Sequence, residues 1–162
     1  MNIRLAQSSD APFLCQAEQA IATRPGHLVS RPEELLVENF VAMIEKSTTR
    51  YIVVEKNNEI IGHAFLEQMR LKAVAHIMRL TIAVHEGHQG QGVGKLLMEN
   101  LIAWAKATPS VEKIELHVRA SNTAAIALYK MMGFEEEGRL KKRIKISETE
   151  YLDDLTMGLQ LK

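Results

Sequence analysis

The amino-acid sequence predicts an α/β fold, a mixed central β-sheet of about seven strands flanked by about four helices. Segments with strand and helix patterns follow one another in the order β, α, α, β, β, β, α, β, α, β, β. The composition, 46% hydrophobic and 25% charged over 162 residues, is that of an ordinary globular domain. No repeat, low-complexity tract or linker interrupts the chain, so residues 1–162 read as a single domain.

Asn2 to Leu5 reads as a first strand. Ser9 and Asp10 are candidate caps for a helix with Pro12 in its first turn, Phe13, Leu14, Ala17 and Ile21 at helical spacing, and an end before Pro25-Gly26. Ser30-Arg31-Pro32-Glu33 has the spacing of a capping box. The helix after it buries Leu36, Val37, Phe40, Met43 and Ile44. Two strand-like runs, Tyr51 to Val54 and Ile60 to Leu66, flank Asn57-Asn58, side chains that tolerate the positive φ of a tight hairpin. His76 to Val84 is a third run, apolar and β-branched near its end. Val93, Leu96, Leu97, Leu101, Trp104 and Ala105 then mark one face of a helix. Glu112 to Val118 is a short strand, and Asn122 to Met132 a helix stopped by Gly133 ahead of Phe134. Gly138 to Ile146 and Tyr151 to Leu161 are extended, joined by a polar turn.

Lys plus Arg and Asp plus Glu each number 20, so the formal net charge is zero. That argues against a whole-molecule field drawing the chain onto nucleic acid or an anionic membrane. The basic run Lys141, Lys142, Arg143 and Lys145 is largely offset by Glu135, Glu136 and Glu137 and has no aromatic platform beside it. No apolar run nears the roughly 20 residues of a membrane span. The single cysteine, Cys15, fits a reducing compartment, and the expectation is a cytoplasmic monomer or homodimer.

Four of the nine glycines, Gly87, Gly90, Gly92 and Gly94, lie within eight residues where the third run gives way to the helix that begins at Val93. A strand running through glycines into a helix suits a phosphate, because the backbone approaches closely and the first helical amides point outward unpaired. The nucleotide P-loop does not fit, since Gln89 and Leu96 stand where it needs Gly and Ser or Thr. The dinucleotide fingerprint fails at Lys95, where its third glycine belongs.

Gln89-Gly90-Gln91-Gly92-Val93-Gly94 resembles the pyrophosphate-binding segment of GNAT-type N-acetyltransferases. Further on, Asn122 near a helix start, Tyr129 seven residues later and the stop at Gly133-Phe134 resemble that family's second segment. The resemblance spans about residues 76 to 135, and Asn122 and Tyr129 share a helix face. It implies acetyl transfer from acetyl-CoA to a primary amine of a small molecule or protein, with no metal. The acyl-CoA arm would lie along the main chain of Ile82, Ala83 and Val84, and the pyrophosphate on Gln89, Gly90, Gln91, Gly92, Val93, Gly94 and Lys95. Asn122 would contact the arm, and Tyr129 would protonate the departing thiolate. A non-catalytic acyl-CoA-binding module is the alternative.

The residue that deprotonates the amine stays open. Glu115 and His117 are two apart on a strand and share a face, so either suits a base beside the sheet. His85, Glu67 or a water chain are rivals. Glu33, Glu34 and Glu38 are candidates for attracting a cationic amine, though first-turn glutamates also serve the helix dipole.

Overall fold

The computed structural model describes residues 1–162. The elements are β1 (Asn2–Leu5), α1 (Ala11–Ala22), α2 (Val37–Glu45), β2 (Thr49–Lys56), β3 (Glu59–Gln68), β4 (Ile77–Val84), α3 (Val93–Ala107), β5 (Lys113–Arg119), α4 (Thr123–Met131), β6 (Glu135–Lys145) and β7 (Tyr151–Gln160). The strands form one sheet in the order β1-β2-β3-β4-β5-β7-β6. Every pairing is antiparallel except β4 with β5.

Both faces of the sheet are covered. Along β2, Ile52 and Val54 join the larger core with Leu97, Leu101 and Tyr129 from α3 and α4. Tyr51 and Val53 point the other way, into a smaller core with Leu14 and Phe40 from α1 and α2. This is the period of two that a strand buried on both sides requires.

One departure from regular pairing shapes the molecule. β4 and β5 are in register only from Ile77 opposite Lys113 to Arg79 opposite Glu115. Beyond that, β4 keeps β3 as its only neighbour and β5 keeps β7. The two parallel strands part, leaving a row of backbone groups on each facing the gap.

Local details differ from the sequence reading where a nearby group competes. Asp10 stands at the N-cap position of α1, but its side chain makes no capping bond to that helix. Its carboxylate accepts the Gln7 amide at 2.8 Å and is gripped by Arg4 at 2.7 and 2.9 Å, which ties β1 to the start of α1. The capping box lies one residue later than expected, with the Arg31 amide donating to Glu34 at 2.9 Å. Pro32 takes the first position of that turn, which makes Arg31 its cap. α2 starts only at Val37, so Leu36 and Val37 remain exposed, as does Phe13 on α1. Asn57 and Asn58 adopt positive φ in the β2–β3 hairpin as their side chains suggested. β6 begins at Glu135, ahead of the expected Gly138.

Candidate active site

The glycine segment follows β4 and opens α3. Gly90 and Gly92 have φ of 72° and 82°, and a Cβ at either would meet nothing within 4 Å. Glycine is needed there for its backbone freedom, not for space. From Gln89 to Lys95 no backbone N–H donates to any other group of the chain, and the first such bond runs from Leu96 N to Gly92 O at 3.0 Å. This run of unspent donors, at the positive end of a helix dipole, forms a cradle for an anion. The Gln91 side chain folds back onto the Gly87 carbonyl at 3.1 Å. Lys95 extends outward toward Glu99.

The gap between β4 and β5 opens into a groove with two lobes. A lobe of about 550 Å³ runs along the glycine segment and includes Gln89, Gly90, Gly92, Val84 and Leu128. The second, of about 360 Å³, holds Glu18, Arg79, Thr81, His117 and Arg119. Ile82, Ala83, Asn122 and Tyr129 line both, so the lobes join there. Asn122 also caps α4, its side-chain oxygen accepting the Ala125 amide at 3.2 Å. The Tyr129 ring packs against Phe134, and burial pushes its hydroxyl up to about 12, so it stays protonated near neutral pH.

The candidate bases separate. His117 faces the smaller lobe. Desolvation, and then the Arg79 charge, hold its pKa below the ordinary value of 6.5. Glu115 does not line either lobe: it sits at the last paired position before the strands part, and Lys113 holds it at 3.0 Å. Glu67 is likewise outside, bound by Lys46 at 2.5 Å. His85 lines neither lobe: it is buried, its Nε2 meets His63 Nδ1 at 2.8 Å and its Nδ1–H donates to the Ile60 carbonyl at 2.9 Å. Glu33, Glu34 and Glu38 line neither lobe.

Four charged or titratable residues of the smaller lobe escaped the sequence reading: Glu18, His27, Arg79 and Arg119. Arg79 left a signal, a charge inside an apolar strand run. Glu18 left none, being one more polar residue on an amphipathic helix. No group of three or more His, Cys, Asp or Glu side chains could hold a metal ion.

A model of the acetyltransferase (GNAT) family matches residues 15–134. The chain belongs to that family. This protein is an acetyl-CoA-dependent N-acetyltransferase. The acetyltransferase is 28% identical over 116 residues to an L-amino acid N-acetyltransferase of Escherichia coli, a match covering 72% of this chain and 71% of that protein. It is also 28% identical over 158 residues to an N-alpha-acetyltransferase of Sulfolobus acidocaldarius, covering 93% of this chain and 89% of the other. The fold superposes with a TM-score of 0.87 on a ribosomal-protein-alanine N-acetyltransferase from Brucella melitensis, at 27% identity and 99% coverage of both chains.

Proposed function

We propose that residues 1–162 act as one domain that transfers an acetyl group directly to a primary amine held in the smaller lobe, with Tyr129 as general acid and His117 as general base. The observation that carries this reading is the meeting of two unlike lobes at one buried hydroxyl. One lobe is an amide cradle suited to a pyrophosphate; the other presents a titratable imidazole.

Acetyl-CoA, the donor substrate, supplies an activated thioester. The free amides of Gln89 to Lys95 suit its pyrophosphate, and the unpaired edge of β4 at Ile82, Ala83 and Val84 suits its arm as a short added strand. An alkyl amine arrives mostly protonated. His117, neutral at pH 7 because its pKa is depressed, accepts that proton. Arg79 and Arg119 nearby favour the uncharged amine as well. The amine lone pair then forms the new C–N bond, the carbonyl oxygen takes up charge, and the C–S bond breaks. The Tyr129 hydroxyl gives its proton to the leaving thiolate, the proton that the nitrogen sheds on becoming an amide is returned to Tyr129 through solvent, and the imidazolium at His117 releases its own proton to solvent.

The one cysteine, Cys15, is free and buried, which suits the reducing cytoplasm. The relatives named above, one for L-amino acids and one for N-alpha acetylation, support an amine acceptor that is either a small molecule or a protein.

The test is thiol release from acetyl-CoA across a panel of amines, with a thermal melt in parallel. At 100 times its Kd, acetyl-CoA stabilises by about 2.7 kcal/mol, a rise of roughly 5–10 °C for a chain of this size. A flat melt with acetyl-CoA, or no thiol released with any amine, defeats the reading.

A further inference from the structure

We propose that the smaller lobe is built for a free α-amino acid, with Arg79 and Arg119 binding the carboxylate beside the amine to be acetylated. The proposal rests on the acetyltransferase reading above and names the acceptor class that reading left open.

The charge balance of the lobe carries it. Arg79 is exposed on β4 and makes no hydrogen bond or ion pair within the chain. Its in-register neighbours Glu67 on β3 and Glu115 on β5 share its face of the sheet, but each is already bound by a lysine. Arg119 reaches the buried Asp154 through Nη1, which leaves its Nη2 with no partner in the chain; its Nε and Asp154 Oδ2 are both enclosed. Around His117, between these two, the charges of Arg79, Arg143 and Arg119 act together, and Asp154 alone opposes them.

Glu18 is the one carboxylate in the lobe, and a partner within the chain already engages it. The Ile60 carbonyl can only accept, so His85 Nδ1 carries a hydrogen. His85 is neutral, its pKa lowered to about 4 by desolvation and by His63, so its Nε2 takes the Nδ1–H of His63. The other nitrogen of His63 lies 2.7 Å from Glu18 Oε1. That contact engages the Glu18 carboxylate within the chain, against two guanidinium groups lining the same lobe.

The lobe therefore carries net positive charge on donors of guanidinium geometry, which match a carboxylate through paired N–H bonds. A polyamine would bring further positive charge against them. The volume, about 360 Å³, is near the low end for ligand pockets and suits a small acceptor. Arg79, His117 and Arg119 belong to this lobe alone, whereas Tyr129 is shared with the other. An amino acid whose carboxylate meets the arginines thus has its amine free to face the junction.

The experiment measures thiol release from acetyl-CoA with L-amino acids, each beside its own carboxamide, and with spermidine and an alanine-initiated peptide. The expected result is a kcat/KM about 10- to 100-fold higher for the acid than for its amide. In Arg79→Gln the acid-to-amide ratio of kcat/KM falls by a similar factor, whereas any change that the lost charge makes at His117 is shared by acid and amide. Arg79 is exposed and unpaired, so this variant keeps its fold, which a melt verifies. Equal use of acid and amide, or preference for spermidine or the peptide, overturns the carboxylate site while leaving an acetyltransferase. Release of no thiol with any of these amines defeats the underlying reading and this proposal with it.

Discussion

Gly62 lies in β3 directly beneath the first turn of α3, and Gly62→Ala tests whether that contact sets the position of the anion cradle. A Cβ at this position would stand 2.6 Å from Val93 Cγ1, 3.3 Å from Leu97 Cδ1 and 3.4 Å from the Ala83 carbonyl oxygen. Carbon atoms in good contact sit about 3.5–4.0 Å apart, so a gap of roughly 1 Å has to open. Val93 cannot swing aside, because a β-branched residue in a helix has essentially one rotamer and this one is 1% exposed. Overpacking of this kind costs about 1–3 kcal/mol. Replacing a strand glycine returns about 0.5–1 kcal/mol of that. The net loss is about 0–2.5 kcal/mol, a fall in Tm of up to about 10 °C. Val93 is also the first residue of α3, so the shift moves the amides of the cradle and raises KM for acetyl-CoA several-fold, with less effect on kcat. A thermal melt and steady-state kinetics read both effects. In Gly62→Ala/Val93→Ala the clashing methyl is gone, and the double variant is more stable than the summed losses by about 1 kcal/mol or more. Strictly additive losses, or a Gly62→Ala protein that melts higher as strand propensity alone would dictate, refute the reasoning.

Tyr129→Phe keeps the ring packing against Phe134 but removes the proton donor, so kcat falls about 100-fold while the melt with acetyl-CoA still rises; an unchanged kcat removes Tyr129 from the chemistry. The kcat/KM of the parent rises with pH through a pKa below 6.5 as His117 loses its proton, and His117→Ala lacks that limb; a pH–rate profile of the two decides. His85 has a folded pKa of about 4 against an ordinary 6.5, so the unfolded chain binds a proton there that the folded chain refuses. Stability therefore drops as pH falls from about 6.5 to 4, by about 3 kcal/mol at the low end, and melts of the parent and His85→Gln at pH 7 and 5 show the steeper loss in the parent. His63→Leu strands the His85 and Glu18 acceptors, costs about 1–3 kcal/mol and lowers Tm by about 2–12 °C.

Much of the fold was legible because its signals are local. The hairpin at Asn57-Asn58, the apolar face of α3 and the stop at Gly133 each depend on a few neighbouring residues. The misplaced details, such as the cap at Asp10 and the capping box at Arg31, arose where Arg4 or Pro32 claimed a group that short-range pattern had assigned elsewhere. Glu115 and His117 were indistinguishable on one strand. The point at which β4 and β5 part falls between them, and only one of the two faces the groove.

By itself, then, the sequence located the stretches proposed for the donor half of this acetyltransferase. The glycine segment and the span from Asn122 to Tyr129 are continuous stretches, and the backbone freedom and free amides they supply do not depend on distant partners. Tertiary structure alone assembled the proposed acceptor lobe. Glu18 comes from α1, Arg79 from β4, and His117 and Arg119 from β5, and nothing in their spacing announces that they meet. What brings them together is a parallel strand pair that stops pairing after Arg79 and Glu115. What sets their charge is partnership across the sheet, where Asp154 on β7 and His63 on β3 each engage one member of the set.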